Sequence, residues 1–60
     1  MEKLTYTVKE MAEAVGVSLP TAYEMIHIHD FPVIRVGRKV IIPIASLKLW
    51  LERRAAGQEG

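Results

Sequence analysis

Gly16 is the position that most constrains this chain, because it separates two segments that each carry apolar residues at helical spacing. Before it, Val8, Met11, Ala12 and Val15 recur at i, i+3, i+4 and i+7, with Glu10, Glu13 and Ala14 on the other side. Thr7 and Glu10 have the spacing of a capping box, so this first helix is expected to begin near Val8. Glycine alone takes a positive φ without penalty, which ends a helix cleanly. Ser18 then supplies a side-chain oxygen for the backbone N–H groups that open the next helix, and Pro20 falls in the first turn, where its missing N–H costs nothing. Two short helices set at an angle by a tight turn are the expected result.

The chain has 60 residues and reads as one domain over positions 1–60, with an ordered core from about 4 to 54 and a frayed C-terminal tail. A domain of this size buries only ~60% of the surface its unfolded chain exposes. A catalytic cleft with a small-molecule substrate is therefore not expected, and the chain reads as a non-enzyme. Apolar residues make up 50% and charged residues 25%, a globular composition. With no cysteine, disulfides and thiolate metal sites are excluded, and the small core must hold the fold. No apolar run approaches the roughly 20 residues that span a bilayer, and the N-terminus lacks a signal-peptide pattern. A soluble, cytoplasmic protein with no membrane association is the expectation.

In the second helix, Ala22 and Ile26 mark the buried side, expected to pack on Met11, Ala12 and Val15. At about 100° per residue, Pro20, Thr21, Glu24, His27 and Ile28 then point away from it, with Tyr23 and Met25 at the borders. Asp30-Phe31-Pro32 breaks the pattern. Val33–Val36 and Lys39–Ile42 follow as β-branched runs separated by Gly37-Arg38, a hairpin signal. Pro43 closes the second run, after which Ile44, Leu47, Trp50 and Leu51 return to helical spacing, with Trp50 and Leu51 expected to close the core. The fold class that results is α+β, mainly α: a small winged helix-turn-helix with two helices, a two-stranded hairpin wing and a C-terminal helix. The second helix of such a pair is shaped to lie in the major groove of double-stranded DNA.

The net charge of +1 is small for a nucleic-acid partner, but its distribution is uneven. Arg35, Arg38 and Lys39 stand close together without an acid between them, whereas Glu2, Glu10, Glu13 and Glu24 lie in the N-terminal half. The hairpin is thus the expected phosphate-facing element, with Gly37 allowing close backbone approach.

The order of elements, with Gly16-Val17-Ser18, Thr21-Ala22-Tyr23, Pro32, Arg35-Val36-Gly37-Arg38, Ile42-Pro43, and Leu47 with Trp50-Leu51, resembles the excisionase-like helix-turn-helix domains, a compact branch of the MerR-type winged helices. The similarity runs from about Leu4 to Arg54. It implies DNA binding, with the second helix in the major groove and the hairpin on the flanking backbone or minor groove. It also implies action as a recombination directionality factor or small transcription regulator. The DNA-binding set expected from this is Ser18, Leu19, Pro20, Thr21, Tyr23, Glu24, His27, Arg35, Gly37, Arg38 and Lys39. Thr21, Glu24 and His27 would meet base edges or adjacent phosphates, Leu19 or Pro20 a thymine methyl, and Tyr23 a phosphate, while Ser18 caps the reading helix. The chain departs from the family at Leu19 and Glu24, where many members carry arginine. A second copy of the chain or a tyrosine recombinase is the further partner the resemblance implies.

His27 and His29 are two residues apart, point to different faces of a helix and have no third ligand nearby, so no metal and no cofactor are expected. Arg53 and Arg54 suit the negative end of the last helix. The competing reading is a protein-interaction module on the same scaffold, docking a partner through Leu19, Met25, Ile28 or Leu49. Salt dependence separates the two, since phosphate neutralisation is strongly salt-sensitive and an apolar interface is not.

Overall fold

A computed structural model describes residues 3–57. Its elements are β1 (Thr5–Tyr6), α1 (Val8–Val15), α2 (Leu19–Met25), β2 (Ile34–Val36), β3 (Lys39–Pro43) and α3 (Ile44–Gly57). The capping box forms as the spacing predicts: the Glu10 N–H donates to the Thr7 hydroxyl oxygen at 3.1 Å, and the Thr7 N–H donates to the Glu10 carboxylate at 3.0 Å. Gly16 adopts φ 89° and ψ 34°, and the N–H groups of Gly16 and Val17 both donate to the Ala12 carbonyl, at 2.8 and 3.0 Å. That double bond satisfies one end of α1 and turns the chain sharply into α2.

Val8, Met11, Ala12, Ala22, Ile26, Phe31, Ile42 and Leu47 are the buried core. Ala22 and Ile26 thus bury with Met11 and Ala12 as expected, while Val15 is half-buried at the margin. The sheet has the order β1-β3-β2 and is antiparallel throughout, with Thr5 opposite Pro43, Tyr6 opposite Ile42, and Ile34, Arg35 and Val36 opposite Ile41, Val40 and Lys39. The hairpin wing is therefore one side of a three-stranded sheet, with β1 on the other edge. The Ile44 N–H donates to the Leu4 carbonyl at 3.0 Å, so α3 starts directly from the last strand residue.

Two expectations are corrected. Helix α2 stops at Met25, so His27 and Ile28 are off it: the His27 N–H donates to the Glu24 carbonyl and that of Ile28 to the Met25 carbonyl, both in tight i→i+3 turns. Ile28 then packs half-buried against the core, followed by the buried Phe31, because these two side chains gain more from apolar cover than from continuing an exposed helix. Leu51 does not close the core. It is 36% exposed, on the rim of a shallow hollow of about 130 Å³ shared with Tyr6, Ala14, Val15, Ile44, Leu47 and Lys48. Trp50 does pack against the core as expected, on another side, its ring edge-on to Phe31 at 4.8 Å and 73°. Helix α3 runs through Gly57, and positions 58–60 lie outside the described residues.

An added Cβ at Gly16 meets nothing within 4 Å, so the cost of a side chain there is conformational alone. Gly16→Ala is expected to lower stability by about 1–2 kcal/mol, the penalty for holding an L-residue in the left-handed region. Urea unfolding measures it, and an unchanged midpoint would show that the turn does not require glycine.

Candidate nucleic-acid interface

The exposed face of α2 begins at its cap. The Thr21 N–H donates to Ser18 Oγ at 3.4 Å, and the Ser18 hydroxyl donates in turn to Thr21 Oγ1 at 2.9 Å. Thr21 Oγ1 is thereby used as an acceptor, and its own proton is left to donate outward. Leu19, Pro20, Thr21, Tyr23 and Glu24 are all exposed along this short helix, Tyr23 by half and Leu19 by 42%. Seven residues at 1.5 Å each make a helix of only about 10 Å.

The wing turns at Gly37, whose φ is 60°, while Arg38 keeps a negative φ. Positive φ at only the first central position is the pattern of a type II′ turn, whose twist matches that of its two strands. Arg35, Gly37, Arg38 and Lys39 are exposed. Arg35 sits opposite Val40 and so shares its sheet face, whereas Ile34, Val36 and Lys39 belong to the reverse face.

These two elements border one groove. A groove of about 340 Å³ is lined by Tyr23 from α2, Arg38 and Val40 from the wing, and Thr7, Val8 and Lys9 from the start of α1. Of the residues expected in the site, Tyr23 and Arg38 are brought onto common walls, with Arg35 on the same sheet face. His27 is exposed but stands beyond the end of α2, in the turn that leads away from it. Sequence reasoning missed Lys9. Its only local sign was a place in the first turn of α1, and its approach to the wing comes from tertiary packing.

Ion pairing sorts the remaining cations. Lys3 pairs with the Glu10 carboxylate, and Arg54 lies 4.0 Å from Asp30. Among the described residues, Lys9, Arg35, Arg38 and Lys39 have no carboxylate partner, nor do Lys48 and Arg53 on α3. Arg54 also stacks over Trp50, 5.0 Å from the ring centroid. The Trp50 Nε1–H is buried without a hydrogen bond of regular geometry, yet it is the main influence holding the Asp30 carboxyl below its ordinary range, reinforced by the Asp30 backbone N–H and the charges of Arg54 and His29, against a smaller desolvation effect. We read this as an indole N–H directed at the carboxylate from just outside bonding geometry. Asp30, Pro32, Ser46, Leu49, Trp50, Arg53 and Arg54 border a separate cleft of about 320 Å³. Among the described residues, no three histidine or acidic side chains are grouped as metal ligands, and no helix is long and apolar enough to cross a membrane.

Residues 5–55 match the family model described as a helix-turn-helix domain. No curated protein and no solved structure gives a significant match to the chain.

The Asp30 contacts carry a pH signature. A carboxyl whose folded pKa is depressed contributes stability above its unfolded value, near 3.9, and loses it as pH falls through the folded value. Asp30→Asn is therefore expected to be less stable than the wild type at neutral pH, with the gap closing as pH falls below about 4. Thermal melts across pH read this out, and a gap that persists undiminished at low pH would show that charge at Asp30 is irrelevant.

Proposed function

The chain belongs to the excisionase-like helix-turn-helix family, and from that membership we propose that it is a double-stranded DNA-binding module acting by binding and bending, without catalysis. The observation that carries this reading is the shared groove between Tyr23 of α2 and Arg38 of the wing. It sets a mainly polar helix face beside a basic hairpin, as a protein needs if it is to enter the major groove and hold the flanking backbone at once.

In this reading Thr21 donates its free hydroxyl proton to a base or phosphate acceptor. Glu24 accepts from a cytosine amino group, and Leu19 and Pro20 meet a thymine methyl. Arg35 and Arg38 neutralise phosphates from the groove side of the wing and Lys39 from its reverse face, with Gly37 keeping the turn slim enough for close approach. Ser18 acts through Thr21, which it orients. His27 contributes at most from the edge, since it is no longer on the reading helix.

A reading helix of about 10 Å spans few base pairs, and one small module buries about 600–1,000 Å² on DNA. Specific binding therefore calls for a second copy or a DNA-bound protein such as a tyrosine recombinase. A role as recombination directionality factor or small transcription regulator in the cytoplasm fits such a dependent module.

Arg38→Ala should weaken binding to all duplexes about equally and reduce the slope of log K against log salt by about 1, since each neutralised phosphate contributes roughly 0.9. Thr21→Ala and Glu24→Ala should instead change preference among sites. Gel shifts across salt concentration and a selection from random duplexes test both. If Arg38→Ala left slope and affinity unchanged, the scaffold would be better read as a protein-docking module.

A further inference from the structure

We propose that Lys9, in the first turn of α1, joins Tyr23 and Arg38 to clamp one DNA phosphodiester, so that α1 holds the backbone together with the wing. This rests on the DNA-binding reading and extends it to an element that neither the helix face nor the hairpin includes.

Thr7, Val8, Lys9, Tyr23, Arg38 and Val40 supply two cations and two hydroxyls, and no carboxylate is among them. The other recesses differ. The cleft beside Trp50 carries the Asp30 carboxylate against its arginines, and the hollow beside α3 offers Lys48 amid apolar side chains. A phosphodiester needs cations and hydrogen-bond donors without a competing acid, which is the chemistry at Lys9.

The donors are also unspent. The Thr7 hydroxyl oxygen accepts from the Glu10 N–H, which leaves its proton available. Tyr23 is half-exposed, and its hydroxyl has no hydrogen bond among the described residues. The acid nearest in sequence is Glu10, but its carboxylate already accepts from the Thr7 N–H and pairs with Lys3. Lys9 is exposed and, among the described residues, forms no ion pair. Two cations separated by about half of the chain's sequence are therefore held beside one groove, and neither forms an ion pair among the described residues.

Salt titration of binding to a mixed-sequence duplex tests the clamp, using the full chain with Lys9→Ala, Lys9→Arg, Tyr23→Phe, Arg38→Ala and, as a control cation away from the groove, Lys48→Ala. Loss of one phosphate neutralisation should lower the slope magnitude by about 1 and weaken binding roughly eightfold near 0.1 M salt. Lys9→Ala is expected to do this, whereas Lys9→Arg keeps the slope. Tyr23→Phe should weaken binding with the slope unchanged, because it removes a donor and no charge. Because the phosphate is held only by Lys9 and Arg38 together, loss of either releases it, and Lys9→Ala combined with Arg38→Ala should lower the slope by no more than either single change. Lys48→Ala should match the wild type. Wild-type slope in Lys9→Ala, alongside a reduced slope in Arg38→Ala, would overturn the clamp and leave the DNA-binding reading standing. A wild-type protein that fails to bind duplex DNA would overturn both. Matching thermal melts confirm that the variants fold; if Lys9→Ala does not, Lys9→Gln takes its place with the same expected slope.

Discussion

Strand β3 is the constraint on which the rest of the structure depends. Its two edges are both paired, to β1 and to β2, and its side chain Ile42 is completely buried in the core that also holds Met11 and Ala22. A two-stranded hairpin alone is marginal in water, so a wing projecting from this domain would have no fixed direction without that anchorage. Through β3 the wing is tied to α1, and through the Gly16 turn α1 is tied to α2. Removing most of a buried isoleucine costs about 2–5 kcal/mol. That is comparable with all the stability a domain of this length commands at ~0.05–0.15 kcal/mol per residue.

The proposed binding face follows from this arrangement more than from net charge. The chain carries only +1 overall, yet four cations without acid partners among the described residues, Lys9, Arg35, Arg38 and Lys39, lie on α1 and the wing, with Lys48 and Arg53 unpaired on α3. Glu24 on the reading helix is the counterweight. Its charge repels phosphate, which fits the proposed division in which the wing and α1 hold the backbone and α2 meets a base.

Features written in local chemistry were legible in the sequence. The Thr7–Glu10 box, the left-handed Gly16, the Ser18 cap and the Gly37 hairpin each depend on residues within a few positions of one another. What escaped depended on distant packing. Strand β1 is two residues whose strand character comes only from pairing with Ile42 and Pro43. The early end of α2 reflects Ile28 and Phe31 turning into the core, which helical periodicity, extended at 100° per residue, could not anticipate. Leu51 has helical spacing with Leu47, but α3 outruns the body it packs on, so it stays at the rim. Of the candidate site, the exposed α2 face and the basic wing were legible, whereas the place of Lys9 beside them required the fold.

The most direct test of the account is amide chemical-shift mapping of the labelled protein titrated with duplex DNA. The account predicts that perturbations trace one continuous face over α2, the turn at Gly37–Arg38 and the first turn of α1, leaving the Trp50 cleft and the hollow beside α3 unmoved. Perturbations centred on Leu49, Trp50 and Arg53, with α2 and the wing silent, would contradict it.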